Sequence, residues 1–196
     1  MAQIPVQRAD AVRNRSNILA AGRSQIAEHG PTVSMEQIAT EAGVAVGTLY
    51  RHFPTKADLV SAVVDEFVDA VADDAEACAA KVAAGASAAA ELGHFLRRVV
   101  DTAAANNAAK AAVQTVGESA SSTRQDSEQR AVDAIAALLQ HGQSGGDLHP
   151  DITVADIYLL FASAPTDRPR TDRHRWVSLV LQGLSPPQPP GAPAQR

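Results

Sequence analysis

The sequence of 196 residues predicts an all-α protein, and three observations support this fold class. Apolar residues recur at intervals of three and four along much of the chain, which is the spacing of amphipathic helices. Hydrophobic residues make up 45% of the chain but aromatic residues only 4%, and the abundance of alanine favours closely packed helices over β-strands. Capping patterns also recur and mark where helices begin. We therefore expect almost no strand.

The segment from Ser34 to Lys56, SMEQIATEAGVAVGTLYRHFPTK, predicts two short helices joined by a tight turn. Ser34 and Gln37 have the spacing of a reciprocal N-terminal cap, so the first of these helices should begin near Met35. Gly43 is suited to the left-handed turn that would end it. A second helix is expected over residues 46–53, with Leu49 and Phe53 one helical turn apart and facing the core. Thr55 and Asp58 should cap the helix that follows. The apolar face of the first of the two short helices comprises Met35, Ile38, Ala39 and Ala42.

Two helices joined by a short turn that contains glycine form a helix-turn-helix, whose second helix enters the major groove of DNA. On the face away from the core, Val46 can meet a thymine methyl group and Thr48 can offer a hydroxyl and a methyl group to a base edge. Arg51 can pair with guanine if it points into the groove. Gly47 would keep the helix surface flat for close approach to the bases, at a cost of about 1 kcal/mol of helix propensity.

Other polar side chains at the edge of the same segment are suited to phosphate oxygens, which fix the register of a protein on DNA without reading its sequence. These residues are Ser34, Tyr50, His52 and Lys56. Together the two groups of side chains predict a protein that reads double-stranded DNA.

The run GVAVGTLYRHFPTKADLV resembles the signature of TetR-type (TetR/AcrR) bacterial transcriptional regulators, and the similarity covers roughly residues 13 to 66. Position by position, the resemblance implies base contacts from Val46, Gly47 and Thr48. It implies contacts to the DNA backbone from Thr32, Ser34, Tyr50, His52 and Lys56. Ala45 stands where the family often has a serine that caps the helix or touches DNA, so we expect that contact to be absent.

Charge is distributed unevenly along the chain. Residues 1–56 carry six Lys/Arg against four Asp/Glu, whereas residues 57–196 carry eleven against eighteen, and the net charge is -5. The arginines at positions 8, 13, 15 and 23 can attract phosphates, and the acidic remainder should point away from a duplex. We predict a DNA-binding domain over residues 1–54, a helical domain over 55–184 and a disordered proline-rich tail over 185–196.

Amphipathic patterns predict further helices near residues 88–104, 127–143, 153–164 and 172–184. The resemblance implies that the last two helices form a four-helix dimer bundle with a second copy of the chain. Their candidate interface residues are Tyr158, Phe161, Trp176, Leu179 and Val180. The alternative is that such residues complete the core of the monomer.

The resemblance also implies a ligand chamber formed by helices between about residues 55 and 143. Its candidate apolar lining is Phe67, Phe95, Val113, Val116 and Leu138, with Gln114, Thr115 or Glu118 as polar contacts. The alternative is that the apolar residues belong to the ordinary core, since core residues show the same helical spacing.

Several classes of protein are disfavoured by the sequence. A single cysteine, Cys78, excludes an intrachain disulfide, and no apolar run approaches the ~20 residues needed to cross a bilayer. The polar N-terminal segment lacks the apolar stretch of a signal peptide, so we expect a cytoplasmic protein. The histidines are scattered without zinc-site spacing, and no phosphate-binding loop or nucleophile motif is present. We therefore expect no enzymatic activity, cofactor or bound metal.

The helix-turn-helix and the resemblance to TetR-type regulators together imply a homodimeric repressor that binds a two-fold operator and is released by a small molecule. Two regulatory alternatives remain open: control by a protein partner or by the concentration of the regulator itself, without a small-molecule effector, and activation in place of repression. A third alternative is an all-helical enzyme or scaffold in which the helix-turn-helix only packs.

Overall fold

The computed structural model describes residues 4–29, 32–105 and 122–186. The helices in these ranges are α1 (Ile4–His29), α2 (Met35–Glu41), α3 (Val46–His52), α4 (Lys56–Ala83), α5 (Ala88–Ala105), α6 (Ser122–Ser144), α7 (Val154–Ser163) and α8 (Arg170–Leu184). No strand occurs within them, and the all-α prediction is confirmed. The predicted tail lies outside the described residues from position 187 onward.

Most helix bounds agree with the sequence patterns, but α6 begins five residues before the predicted position. Its first turns, STRQD, are polar and mostly exposed, so they add no apolar periodicity from which an earlier start could be read. A reciprocal cap at Thr153 marks the start of α7. The Thr153 side chain accepts a hydrogen bond from the backbone N–H of Asp156, and the Asp156 carboxylate accepts from the backbone N–H of Thr153 at 2.8 Å.

The described helices belong to two compact units. The first unit comprises residues 1–69 and 102–124, and the second comprises residues 70–101 and 125–196. Helix α4 runs without interruption from Lys56 to Ala83, so it begins in the first unit and ends in the second. The domain boundary predicted at residue 54 precedes this helix and stays a prediction.

The core of the first unit holds the helix-turn-helix together. Ile18 of α1, Ile38 of α2, Leu49 of α3 and Leu59 of α4 are each 0% exposed. Each of these four helices therefore places at least one large apolar side chain in a single cluster. Complete burial of such a side chain contributes roughly 1.5–3 kcal/mol, so the short helix α3 is held by tertiary packing and not by its own propensity.

The core of the second unit is formed by the C-terminal half of α4, by α5 to α8 and by Leu148 in the loop after α6. Its most deeply buried large side chains are Leu92, Phe95, Leu96, Leu138, Leu148 and Ile157. The Phe95 ring meets the Phe161 ring edge-on, with centroids 5.7 Å apart and an interplanar angle of 75°. Pairs with this geometry are favourable beyond the area that they bury.

The position of Phe161 bears on the choice between a dimer interface and the core of the monomer. Phe161 was expected at a dimer interface, but its side chain is only 5% exposed and packs against Phe95 within one chain. The apolar spacing of α7 could not separate these roles, because both a core face and an interface face recur every three to four residues. Phe161 lies in the core of the second unit, and its part in a dimer interface stays a prediction.

Candidate DNA-binding surface

Helix α2 begins with the reciprocal cap that the sequence predicted. The Ser34 hydroxyl oxygen accepts a hydrogen bond from the backbone N–H of Gln37 at 3.2 Å, and the Gln37 side-chain oxygen accepts from the backbone N–H of Ser34 at 2.9 Å. Because the Ser34 hydroxyl serves here as an acceptor, its own proton remains available to a further acceptor such as a phosphate oxygen.

The turn between α2 and α3 has a defined hydrogen-bonding pattern. The N–H of Gly43 donates to the carbonyl of Thr40 at 3.2 Å, and the N–H of Val44 donates to the carbonyl of Ala39 at 3.1 Å. These two bonds form a Schellman motif, which needs a left-handed residue directly after the helix. Gly43 supplies that conformation with φ +67°, so the glycine fixes the direction in which α3 leaves the turn.

Helix α3 has one buried face and one exposed face. Leu49 is completely buried, and Phe53, the C-terminal cap residue of α3, is 3% exposed. Gly47, Tyr50 and Arg51 are exposed, whereas Thr48 and His52 are half-buried. The face opposite Leu49 is therefore open, as the reading of α3 as a recognition helix requires.

At the start of α3, Val46 is less exposed than the sequence predicted, and Ala45 does not cap the helix with its side chain. Val46 was expected on the face away from the core, but it is half-buried and packs partly against the core cluster of the first unit. Its contact with a thymine methyl group stays a prediction, and only part of the side chain is available for it. Ala45 is the N-cap residue of α3 and makes no side-chain cap hydrogen bond.

Two of the predicted phosphate contacts already donate to backbone carbonyls. The Thr32 hydroxyl donates to the carbonyl of His29 at 3.1 Å, and the Lys56 ammonium group donates to the carbonyl of Val33. A hydroxyl has one proton, so Thr32 would have to rotate before it could donate to a phosphate, whereas an ammonium group has three. Lys56 thus holds the α2 end of the motif, and its contact with a phosphate stays a prediction.

The start of α4 is capped as predicted. The Thr55 hydroxyl accepts from the backbone N–H of Asp58 at 3.1 Å, and the Asp58 carboxylate accepts from the backbone N–H of Thr55 at 2.9 Å. This cap fixes the chain directly before Lys56, which is half-buried in the first turn of α4. The structure thus brings Lys56 close to the beginning of α2, 23 residues away along the chain.

Comparison with known proteins identifies the family. Residues 18–63 match the family described as bacterial regulatory proteins, tetR family, and residues 87–186 match the transcriptional regulator SbtR-like C-terminal domain. A TetR transcription regulatory protein from Mycobacterium vanbaalenii is 34% identical, over 91% of this chain and 99% of that one, with a TM-score of 0.67. This chain belongs to the TetR family.

Two further proteins similar to this chain are also described as transcriptional regulators. The regulator SCO0520 from Streptomyces coelicolor is 33% identical, over 88% of this chain and 98% of that one, with a TM-score of 0.65. A helix-turn-helix transcriptional regulator from Staphylococcus aureus USA300 is 41% identical over 63 residues, which are 32% of this chain and 34% of that protein. The chain spans about a third of the length of the curated relatives that it matches. This TetR-family protein is a transcriptional regulator with a DNA-binding helix-turn-helix.

The candidate dimer residues of this TetR-family protein differ in exposure. Leu179 on α8 is 49% exposed, whereas Tyr158, Trp176 and Val180 are half-buried. The partial burial of Tyr158 also raises the pKa of its hydroxyl, and the negative charge of Glu128 raises that pKa further. Helical periodicity did not single out Leu159 on α7, which is 67% exposed. Its signal was present as a leucine on the polar side of α7, but one such residue is common on surfaces.

The candidate ligand residues are placed as follows. Phe67 is half-buried and packs against the core cluster of the first unit. Phe95 and Leu138 are 1% and 2% exposed and belong to the second unit. Val113 and Val116 lie outside the described residues, as do Gln114, Thr115 and Glu118. The ligand-lining role of all these residues stays a prediction.

The described ranges contain neither a cluster of metal-ligating side chains nor a membrane-spanning helix. Within these ranges, no group of three or more His, Cys, Asp or Glu side chains could hold a metal ion. Among the same residues, no helix is both long enough and apolar enough to cross a membrane.

Proposed function

We propose that this TetR-family protein is a homodimeric repressor whose two helix-turn-helix motifs bind successive major grooves of a two-fold operator. We further propose that a small molecule bound in the C-terminal part releases it from DNA. The observation that supports DNA reading most directly is the open face of α3. Gly47, Tyr50 and Arg51 are exposed there, while Leu49 anchors the opposite face in the core.

In this proposal, Val46, Gly47, Thr48 and Arg51 face the bases of the major groove. The contacts to the DNA backbone come from Thr32, Ser34, Tyr50, His52 and Lys56. The division follows from chemistry, because bidentate and methyl contacts distinguish base pairs, whereas hydroxyl and ammonium donors bind any phosphate.

Dimerisation follows from the size of one recognition helix, which can read only one half-site. A two-fold dimer presents two such helices about 34–36 Å apart, or a multiple of that spacing, and so matches the repeat of the duplex. Leu159 of α7 and Leu179 of α8 are the most exposed large apolar side chains among the described residues of the second unit. Burial of these side chains against a second copy would favour association through the hydrophobic effect.

Selection of bound fragments from a random pool of duplex DNA, at one fixed salt concentration, tests the DNA part of the proposal. We expect enrichment of a motif that is repeated with two-fold symmetry. Its spacing should match one helical turn or a multiple of it. Enrichment of a single asymmetric motif would contradict the dimeric mode, and the absence of enrichment would contradict sequence-specific binding.

The dimer part is tested separately by Leu179→Glu, with the mass in solution measured by light scattering. A charge placed in an apolar interface must be desolvated, so we expect this variant to be monomeric at concentrations where the wild type is dimeric. Val12→Glu is the matched control, because Val12 is an apolar residue of α1 with 71% exposure, outside the second unit. A Leu179→Glu variant that remains as dimeric as Val12→Glu would refute the role of α8.

The effector part is a statement about differential affinity. To move the regulator from 99% to 1% in its DNA-competent form, a ligand must bind the other form about 10⁴-fold more tightly. Coupling between the two sites must also be reciprocal. A compound that lowers the affinity for operator DNA should therefore bind the protein–DNA complex more weakly than the free protein, by the same factor. Titration calorimetry with and without operator DNA measures that factor, and a compound that binds the free protein and the protein–DNA complex equally tightly would be excluded as an effector.

A further inference from the structure

Three arginines of α1 have different environments. Arg13 pairs with the Asp10 carboxylate at 2.7 Å, and Arg23 lies 3.6 Å from the Glu66 carboxylate. Arg15, in contrast, places its guanidinium carbon 5.2 Å from the centroid of the Phe53 ring. Among the described residues, the Arg15 guanidinium thus contacts an aromatic ring and not a carboxylate. Its positive charge is not offset by an acidic partner there.

The ring that contacts Arg15 is a rigid platform. Phe53 is 3% exposed and caps the C-terminal end of α3, where its backbone N–H donates to the Leu49 carbonyl at 2.8 Å. A guanidinium group within about 6 Å of a ring centroid is attracted to the electron-rich face of the ring. Because a guanidinium is planar, contact through its face leaves the in-plane N–H groups available to anions. Phe53 can therefore fix Arg15 without using its hydrogen-bond donors.

The location of the Phe53 ring matters because Phe53 lies at the C-terminal end of the recognition helix α3. The His52 ring also lies beside Phe53, with centroids 6.5 Å apart. Tyr50 and Arg51 are exposed in the same last turn of α3. Arg15 therefore brings a charge from α1 to the end of the helix that is to enter the major groove, where the flanking sugar-phosphate backbone would lie.

We propose that Arg15, held against Phe53, is a further contact to a DNA phosphate at the C-terminal end of the recognition helix. The inference rests on the DNA-binding function of the helix-turn-helix, and it is independent of dimerisation and of any effector. It assigns Arg15 a direct ionic contact, in contrast with the long-range attraction that every basic residue of the first unit provides.

The test measures the dissociation constant as a function of salt for Arg15→Leu and for the matched control Arg13→Leu. Both variants remove one positive charge from exposed positions of α1, so long-range attraction should change equally in the two. A lost phosphate contact should in addition reduce the slope of log K against log salt by about 0.9 per motif, or roughly 1.8 for two motifs on one duplex. Between about 50 and 200 mM salt, a slope change of that size alters the relative affinity roughly 12-fold.

Two duplexes are used, one recovered by the selection and one of mixed sequence with the same length. A phosphate contact carries no sequence information, so the slope should change on both duplexes for Arg15→Leu. Arg15→Lys keeps the charge but not the planar group, and we expect it to retain the wild-type slope with a larger dissociation constant. Circular dichroism spectra that match the wild type show that each variant is folded.

Equal slopes for Arg15→Leu and Arg13→Leu would overturn the inference, because they would leave only general electrostatic attraction. A lower thermal stability of Arg15→Leu with an unchanged salt slope would also overturn it, and would assign the Arg15–Phe53 contact a structural role. The result on mixed-sequence DNA does not require a two-fold operator. A failure of the dimer proposal is therefore distinguishable from a failure of this one.

Discussion

Replacement of Gly47 by alanine should change folding and DNA binding in opposite directions. A Cβ atom built on Gly47 meets no heavy atom within 4 Å, and its backbone does not adopt a left-handed φ. Alanine therefore fits the folded helix without strain. In helices alanine is favoured over glycine by about 0.5–1 kcal/mol, so Gly47→Ala should stabilise the protein by up to about that amount.

The same methyl group should weaken specific DNA binding. If the backbone of Gly47 approaches the base edges closely, an added methyl group must displace the helix from the groove. Loss of base contacts costs about 1–3 kcal/mol in specific complexes, and a loss of about 1.4 kcal/mol is tenfold in affinity. We expect an increase of at least about tenfold in the dissociation constant for the selected duplex, with a smaller change for mixed-sequence DNA, where base contacts matter less.

The measurements are denaturant unfolding and fluorescence anisotropy of a labelled duplex, with Gly183→Ala as the matched control. Gly183 lies in α8, is exposed, and likewise has no heavy atom within 4 Å of its built Cβ. Its replacement should stabilise the protein. At concentrations where light scattering shows that the variant is dimeric, its DNA affinity should equal that of the wild type. A Gly47→Ala variant that binds the selected duplex as tightly as the wild type would refute the close approach of Gly47 to DNA.

Three further predictions concern other parts of the protein. Lys56→Ala should reduce the salt slope by about 1 per subunit on specific and mixed-sequence duplexes alike, and an unchanged slope would remove its phosphate role. Ser34→Asp should keep the unfolding free energy within about 0.5 kcal/mol of the wild type, because aspartate also caps helices well, while the added charge repels a phosphate. Undiminished DNA affinity of this variant, measured by anisotropy, would place Ser34 away from the duplex. Burial raises the pKa of Asp101, but hydrogen bonds from Arg173, His174 and Arg170 outweigh it, and the net shift is downward. The ionised carboxylate therefore contributes stability at neutral pH that is lost only as the pH falls below the ordinary aspartate range, and Asp101→Asn should flatten the acid limb of a stability–pH curve.

Several elements could be predicted from the sequence because they depend on residues that are close together in the chain. The caps at Ser34–Gln37, Thr55–Asp58 and Thr153–Asp156 each depend on a spacing of three residues, which is visible in the sequence and fixes where a helix begins. The glycine at position 43 likewise marks a turn that needs a left-handed residue. The helix-turn-helix was predictable because it is built from such local signals, together with an apolar face that one short segment supplies.

The tertiary structure decided the features that depend on residues far apart in the chain. Arg15 and Phe53 are 38 positions apart, and Asp101 meets three residues of α8 that lie 69 to 73 positions later. Neither pairing has a periodicity that a sequence could display. The assignment of Phe161 to the core had the same cause, since helical spacing gives the face on which a residue lies and not the surface that covers it. Local spacing thus determined the helices and the reading motif, whereas the partners of each side chain were fixed only when packing brought distant helices together.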